Sequence, residues 1–220
     1  MPGIPNAART NLTSTSIQIH RHLHIDDGSF REVYEGTFVG GNRNQQKAAC
    51  KCFKSKYSAF EKDFAVQDEK VTDKCIQYAN DWNDFCMEGK EITINQGTVF
   101  DHAGRNYLVE PFIRDFKKYT SNSGTIMYRG GKGETAERRA MEAFSHYSYH
   151  RSGGSLIICD LQGHYKKRSG KKGARFELTD LAICSRKRLY GFTDLGEKGI
   201  ESFFFNHTCN EYVTDCRLMD

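Results

Sequence analysis

The sequence predicts an α+β fold of two lobes, a strand-rich N-terminal lobe with one long helix and a mixed C-terminal lobe. The chain has 220 residues, more than one average domain of about 150 residues but too few for an array of domains. The first half consists mainly of predicted strands, with alternation at residues 16–25, and contains one long segment of helical periodicity. After Pro111 the chain becomes polar and rich in glycine. We therefore predict a single domain whose lobes are residues 1–111 and 112–220.

Composition excludes several classes of protein. A hydrophobic fraction of 38% with 12% aromatic residues is enough for a core, which excludes a wholly disordered chain. The net charge of +4 is too small to indicate a nucleic-acid partner. No apolar run is long enough to cross a membrane, and the N-terminus does not resemble a secretory signal. With eight cysteines scattered among apolar segments, we expect a cytoplasmic protein with reduced thiols.

The first half of the chain is predicted to contain five strands. Residues 16–25 alternate apolar and polar side chains, which is typical of a half-buried strand. Residues 33–39 and 48–53 flank a Gly-Gly-Asn turn, so we predict that they form neighbouring antiparallel strands. Two further strands are predicted at residues 91–100 and 105–110.

Helices and a late strand complete the predicted elements. Apolar residues spaced three, four or seven apart predict a helix over residues 59–87 and another over residues 134–150. A short apolar strand follows at residues 155–161, and a last helix begins near Gly199. Residues 166–175 carry basic side chains and no acid. We interpret them as a solvated loop, with an acidic substrate surface as the alternative partner.

Two features of the first lobe could bind phosphate. The turn around Gly28 precedes a strand and contains Arg31, so backbone N–H groups and a guanidinium could approach phosphate oxygens. An ordinary surface β-turn explains the same residues. Lys51 is flanked by residues of the kind found in cores, so its ammonium must be paired or face a binding site. A solvent-facing lysine on an edge strand is the alternative.

Two acidic residues end apolar runs in the second lobe. Asp160 follows a run of buried-type residues and precedes Gln162, and Asp180 ends another short run. One carboxylate that accepts a proton and one that holds magnesium would suit phosphoryl transfer. Two caps at strand ends are the structural alternative.

A glycine-rich segment and a His/Cys cluster lie nearer the C-terminus. Residues 191–199 have glycines spaced as in a phosphate-binding or peptide-binding loop, but a loop leading into a helix also fits. His207 and Cys209 are two apart and could bind zinc together with His146. Buried histidines beside a free thiol are the alternative interpretation.

Taken together, these residues resemble the alpha-kinase family, the atypical protein kinases related to myosin heavy chain kinase and elongation factor 2 kinase. The resemblance runs in order through nearly the whole chain. Its most specific segments are Cys159-Asp-Leu-Gln-Gly163, Leu178-Thr-Asp180, Gly191-Phe-Thr-Asp-Leu-Gly-Glu-Lys-Gly-Ile200 and Phe203-Phe-Phe-Asn-His-Thr-Cys-Asn210.

The resemblance implies a two-lobed protein-kinase-like fold and an ATP-dependent threonine/serine kinase whose protein substrates are often helical. A catalytically weak nucleotide-binding pseudokinase or docking scaffold is the alternative function. Asp160 would orient or deprotonate the substrate hydroxyl, and Gln162 and Asp180 would hold magnesium. The remaining implied residues are Gly28, Ser29, Phe30, Arg31 and Lys51 for the ATP phosphates, Glu110, Phe112 and Ile113 for adenine, and Gly191, Thr193, Asp194, Gly196 and Gly199 for the substrate.

The implied zinc site departs from the family pattern of two histidines and two cysteines. His146, His207 and Cys209 match, but Val213 stands where the second cysteine is expected. Cys216 could replace it only if the chain leaves a helical path after residue 210, because seven helical residues at about 1.5 Å each would separate the two cysteines too far for one ion. We expect a structural zinc held by the three matching residues, with Cys216 as the candidate fourth ligand.

Overall fold

The computed structural model describes residues 16–85, 90–123, 132–167 and 174–209. They fall into two compact units, Met1–Asp63 with Asn95–Ile113 and Phe64–Ile94 with Arg114–Asp220. The strands of the described residues are β1 (Ser16–Asp27), β2 (Arg31–Val39), β3 (Lys47–Phe53), β4 (Lys90–Ile94), β5 (Thr98–His102), β6 (Arg105–Pro111), β7 (Lys117–Lys118), β8 (Leu156–Cys159), β9 (Gln162–Lys167), β10 (Ala174–Leu178) and β11 (Ala182–Ser185). The α-helices among them are α1 (Glu61–Phe85), α2 (Lys132–Arg151) and α3 (Glu197–Asn206).

The first unit is built on one antiparallel sheet with the strand order β1-β2-β3-β6-β5. The predicted antiparallel pairing of the second and third strands is confirmed, with Val33 opposite Lys51. Inward-facing residues of this sheet form the core of the unit, including Phe38, Cys50 and Tyr107. The prediction of a strand-rich N-terminal part is therefore confirmed.

The prediction of a single strand over residues 91–100 is wrong, because the structure divides this segment into two strands. Its first part, β4, pairs in parallel with β10 in the second unit, and its second part, β5, pairs with β6 in the first unit. Gly97 lies in the intervening segment, where an added Cβ would collide with the Leu108 side chain. Ile92 and Ile94 precede this break and Val99 and Phe100 follow it, and the prediction joined these two apolar runs into one strand although the residues between them are polar or glycine.

Helix α1 follows a short 3-10 segment at Ser55–Phe60 and matches the predicted helix closely. Our assignment of this helix to the strand-rich lobe is wrong, because residues from Phe64 onward belong to the second unit. The physical reason is the row of aromatic side chains on one face of α1. The Trp82 ring lies edge-on to Phe144 and Tyr147 of α2, at centroid distances of 5.6 Å and 5.4 Å. These contacts commit the helix to the core of that unit.

The second unit contains a four-stranded sheet of order β4-β10-β9-β7 and a two-stranded sheet of β8 and β11. Strands β8, β10 and β11 are buried along most of their length, and α2 packs beside β8. Strand β8 runs into Asp160, β9 begins at Gln162 and β10 runs into the segment that contains Asp180. The sheets therefore bring the predicted acidic residues and the amide to neighbouring positions.

The basic segment at residues 166–175 lies largely outside the described residues, between the end of β9 and the start of β10. Six cysteines are described and all six are free thiols, as we expected. Within the described part of the chain, none of the helices is long and apolar enough to span a bilayer.

Candidate active site

Lys51 lies on the central strand of the first sheet and is buried. Its ammonium is 2.7 Å from a carboxylate oxygen of Glu110, and the two side chains are 6% and 7% exposed. Glu110 is on β6, diagonally across the strand pair, because Lys51 is opposite Leu108 and Ala49 is opposite Glu110. The alternative of a solvent-facing lysine on an edge strand is therefore wrong. Burial of an ammonium requires such a partner, and the carboxylate supplies it.

The turn around Gly28 joins β1 to β2. Arg31 stacks its guanidinium on the Phe53 ring at 4.5 Å from the centroid, and Phe30 lies edge-on to Tyr57 at 5.2 Å. An added Cβ at Gly28 would find its nearest neighbour, the carbonyl oxygen of Arg31, at 3.4 Å, an ordinary contact. The fold therefore does not require glycine here, which leaves the close approach of a ligand as a reason for it.

Residues 110–113, at the end of β6 and just after it, contain the residues predicted to contact adenine. The Glu110 carboxylate is already engaged by Lys51, and the Phe112 N–H donates to the carbonyl oxygen of Lys47 at 3.0 Å. Any contact that this segment makes with a base must therefore use other groups, such as those of Ile113.

In the second unit, the structure brings Asp160, Gln162 and Asp180 together. The Gln162 amide nitrogen donates to the main-chain oxygen of Asp180 at 3.0 Å and lies 3.5 Å from a carboxylate oxygen of Asp160. Both aspartates have left-handed backbones, with φ of 57° and 53°, a conformation that few residues other than glycine, asparagine and aspartate adopt readily.

Lys118 is a member of this group that the sequence analysis missed. Its ammonium is 2.8 Å from a carboxylate oxygen of Asp160, and the Lys118 backbone lies opposite Gln162 in the pairing of β7 with β9. Strand β7 has only two residues, too short for any periodicity to predict it. The contact arises from strand register, for which the sequence contains no local signal.

The surroundings of Asp160 raise the pKa of its carboxyl above the ordinary value. Burial raises its pKa first, and the nearby charge of Asp180 raises it further, while the hydrogen bond from Lys118 opposes both effects. A carboxylate that is harder to ionise is also a better proton acceptor once it is ionised. Asp160 therefore has the properties of a general base beside a cation.

The backbone around Asp160 is held by the segment that follows Lys118. The Leu161 N–H donates to the Thr120 hydroxyl at 3.0 Å, and the Tyr119 N–H donates to the Leu161 carbonyl at 2.8 Å. The Asp160 N–H donates to the carbonyl oxygen of Ser121 at 3.2 Å. These bonds fix the lysine and the aspartate relative to one another.

Asp194, predicted to contact substrate, has its carboxylate engaged by the end of β11 and by its own loop. It accepts hydrogen bonds from the N–H groups of Ser185, Tyr190 and Gly196 and from the Ser185 hydroxyl, at 2.6–3.2 Å. The side chain is 5% exposed. Asp194 therefore organises the loop, and direct contact with a substrate would fall to its neighbours.

All three of the loop glycines have structural reasons to be glycine. Gly191 has a φ of 83°, and an added Cβ would collide with the Gln67 side chain. A Cβ on Gly199 would collide with the Cys184 thiol, against which α3 packs. Gly196 has a φ of 71° and caps the start of α3. These positions fit the alternative interpretation of a loop leading into a helix, and Thr193 is the remaining side chain of the predicted set.

His146, His207 and Cys209 form a cluster with the geometry of a metal site. Their ligand atoms lie within 4.8 Å of one another. His146 Nδ1 is 3.0 Å from His207 Nε2 and 3.7 Å from the Cys209 sulfur. Zinc with bonds of about 2.0 Å to nitrogen and 2.3 Å to sulfur has tetrahedral edges of roughly 3.3–3.6 Å. The donor set and its spacing therefore fit zinc.

The surroundings of both imidazoles of the cluster favour the neutral form that binds a metal. Burial, with the neighbouring His207 and His150, lowers the pKa of His146 to about 4, and burial lowers the pKa of His207. A neutral imidazole offers the lone pair that a metal requires. Cys216, the candidate fourth ligand, lies outside the described residues.

The family model described as the alpha-kinase family matches residues 26–213. This chain belongs to the alpha-kinase family. Among its relatives, myosin heavy chain kinase B of Dictyostelium discoideum is 26% identical over 216 residues, which is 92% of this chain and 26% of that protein. Alpha-protein kinase vwkA of the same organism is 34% identical over 198 residues, 87% of this chain and 28% of that protein. The chain therefore spans between a quarter and a third of the length of these relatives.

Solved alpha-kinase domains share the fold. The inactive alpha-kinase domain of myosin-II heavy chain kinase A in complex with ATP matches with a TM-score of 0.71 at 20% identity, over 92% of this chain and 88% of that one. The same domain in complex with AMP matches with a TM-score of 0.71 at 20% identity, over 91% and 89%. These matches show a shared fold, and the family that the motifs predicted is confirmed by the family model.

Proposed function

We propose that this alpha-kinase chain is the catalytic domain of an ATP-dependent protein threonine/serine kinase. The observation that carries the proposal is the arrangement of Lys118, Asp160, Gln162 and Asp180 in one unit, with an acceptor carboxylate beside a cation. Phosphoryl transfer asks for positioning and charge neutralisation more than for covalent chemistry, and these residues supply both.

Asp160 acts on the hydroxyl of the protein substrate. It accepts a hydrogen bond from that hydroxyl and takes its proton as the oxygen forms a bond to the γ-phosphorus of ATP. The bond between that phosphorus and the leaving oxygen of ADP breaks in the same transfer. The ammonium of Lys118 stabilises the ionised carboxylate before transfer and the negative charge that builds up on the phosphoryl oxygens during it.

Gln162 and Asp180 present oxygen atoms of the kind that magnesium prefers, and the set fits that ion. Magnesium would neutralise charge on the ATP phosphates. The hydrogen bond from the Gln162 amide nitrogen to the Asp180 main chain orients the amide, so its oxygen points away from that contact. The exposed Asp180 carboxylate is the second donor.

Lys51 and the turn at residues 28–31 bind the phosphates of ATP in this proposal. The ammonium of Lys51 is held in one position by Glu110. In this proposal the Glu110 carboxylate therefore orients Lys51 and does not contact adenine. Gly28 lets backbone N–H groups approach phosphate oxygens, and Arg31 adds a guanidinium that is stacked on the Phe53 ring. Phe112 and Ile113 would bound the adenine.

The protein substrate would bind near residues 191–199, through Thr193 and the backbone that Asp194 organises. Threonine or serine in a helical segment is the substrate class that we propose, by analogy with the family. Because the described cysteines are free thiols, we also propose a reducing compartment, the cytoplasm.

We further propose that His146, His207 and Cys209 hold a structural zinc, with Cys216 as the candidate fourth ligand. These residues connect α2 to the segment that follows α3. Zinc would cross-link these two parts of the unit.

Transfer of radiolabel from γ-labelled ATP to a basic protein and to a helical threonine peptide tests the activity. Asp160→Asn should reduce the rate at least about 100-fold, because the acceptor carboxylate is lost at nearly constant shape. Asp81→Asn is the matched control, since Asp81 forms only a peripheral ion pair with Arg151. Equal labelling by the wild-type chain and Asp160→Asn would contradict the kinase assignment and favour a nucleotide-binding scaffold.

A further inference from the structure

Helix α2 carries a second histidine beside the proposed zinc ligands. His150 is four residues after His146, so both side chains lie on the same face of the helix. Their ring centroids are 4.7 Å apart, and the two Nε2 atoms are 2.8 Å apart, within hydrogen-bonding distance. His150 does not belong to the residues that the family resemblance implies as ligands. Its close contact with one of them therefore needs its own explanation.

The two nitrogens of His146 face different partners. Nδ1 faces His207 Nε2 at 3.0 Å and the Cys209 sulfur at 3.7 Å, whereas Nε2 faces His150. A neutral imidazole carries one proton. If Nδ1 donates its lone pair to a metal, the proton must be on Nε2, and the Nε2 atom of His150 must accept it.

Aromatic packing holds the rings but does not choose between the nitrogens. Phe204 lies edge-on to the His146 ring at 5.3 Å, and Phe203 stacks on His207 at 4.8 Å. Contacts of this kind restrict the plane of an imidazole and are insensitive to which nitrogen is protonated. A polar partner on one side is what makes one tautomer more stable than the other.

We propose that His150 is a positioning residue of the zinc site, which accepts the Nε2–H of His146 and so directs the Nδ1 lone pair at the ion. This inference rests on the zinc site in the proposed function. His150 is not itself a ligand in this arrangement, because it contacts Nε2 of His146, whereas His207 and Cys209 lie next to Nδ1.

Zinc affinity provides the test. The purified wild-type chain should contain about one zinc, and competition with a chromophoric chelator should give its dissociation constant. His150→Ala should weaken zinc binding by about 10–100-fold, the usual cost of removing a partner of a metal-bound histidine. His150→Gln should recover most of the affinity, because its side-chain oxygen can accept the same proton. His22→Ala, which removes another exposed histidine on β1, is the control and should bind as the wild type does.

Cobalt substitution separates positioning from ligation. The visible absorption of the cobalt-loaded protein reports the ligand set, so His150→Ala should leave the band positions and intensities unchanged once cobalt is saturating. A changed spectrum would make His150 a ligand and overturn the inference. Zinc affinity of His150→Ala equal to that of the wild type, or of His150→Gln as low as that of His150→Ala, would also overturn it. A wild-type chain that binds no zinc would instead refute the zinc site itself, whereas kinase activity is measured separately.

Discussion

Removing the ammonium of Lys51 should destabilise the fold as well as any ATP site. The Lys51→Met variant leaves the Glu110 carboxylate buried, at 7% exposure, without the cation that lies 2.7 Å away in the native protein. Breaking a buried ion pair by deleting one partner costs about 3–5 kcal/mol, because the remaining charge loses solvent without compensation. This is a large part of the stability of a typical domain, which is about 5–15 kcal/mol.

A double variant separates the two effects. Lys51→Met combined with Glu110→Leu removes both charges, and replacing both partners by apolar groups is often nearly neutral. We therefore expect the double variant to regain most of the lost stability while its affinity for ATP stays low. Lys47→Met is the matched control on the same strand, because Lys47 is half exposed and pairs with Glu35 near the surface. Its cost should be below about 1 kcal/mol.

Urea unfolding should be followed by far-ultraviolet circular dichroism, which reports the secondary structure of both units and so includes the strands of the first. Trp82 is the one tryptophan of the chain and lies in the second unit, so fluorescence alone would report the wrong region. A shift of the Lys51→Met midpoint no larger than that of Lys47→Met would refute the reasoning. So would a double variant as unstable as Lys51→Met alone.

Three other predictions test the remaining residues. Gly28→Ala should keep the melting temperature of the wild type but raise the KM for ATP, whereas Gly163→Ala should unfold at lower temperature, since its Cβ would collide with the Glu177 carbonyl. A raised KM in both variants with unchanged melting would contradict this distinction. Activity should fall with decreasing pH as Asp160 becomes protonated, at a pH above the ordinary range for aspartate. In Lys118→Met that loss should move to higher pH, because Lys118 lowers the pKa of Asp160; an unmoved pH profile of kcat/KM would exclude the contact. Asp194→Ala should cost about 1–3 kcal/mol in thermal unfolding, because buried N–H groups lose their acceptor, and a wild-type melting temperature would contradict its role in the loop.

Secondary structure was predictable where one periodicity continued without interruption. The stripe of α1 and the turn between β2 and β3 are local patterns, and each of these elements forms within a few residues of its predicted bounds. The division of residues 91–100 between β4 and β5 was not predicted, because β4 pairs with β10, which is far away in the sequence, whereas β5 pairs with β6, the next strand in the chain.

In the candidate site, too, some residues could be predicted from the sequence and some contacts could not. Asp160, Gln162 and Asp180 could be named from motif chemistry, since carboxylates and an amide at strand ends are recognisable in the chain. Lys118 and the pairing of Glu110 with Lys51 could not, because each contact is set by the register of strands that are not neighbours in sequence.

The order of residues along the chain was enough to indicate which side chains could take part in phosphoryl transfer or metal binding, because residue type and spacing are properties of the sequence. Which nitrogen of His146 faces the other cluster residues, and which carboxylate lies beside an ammonium, depend on how distant segments pack. Charges and lone pairs act over a few ångströms, and strand register and helix packing are what determine such distances. That is why the chemistry could be anticipated from the chain, whereas the partners of each group emerged with the folded molecule.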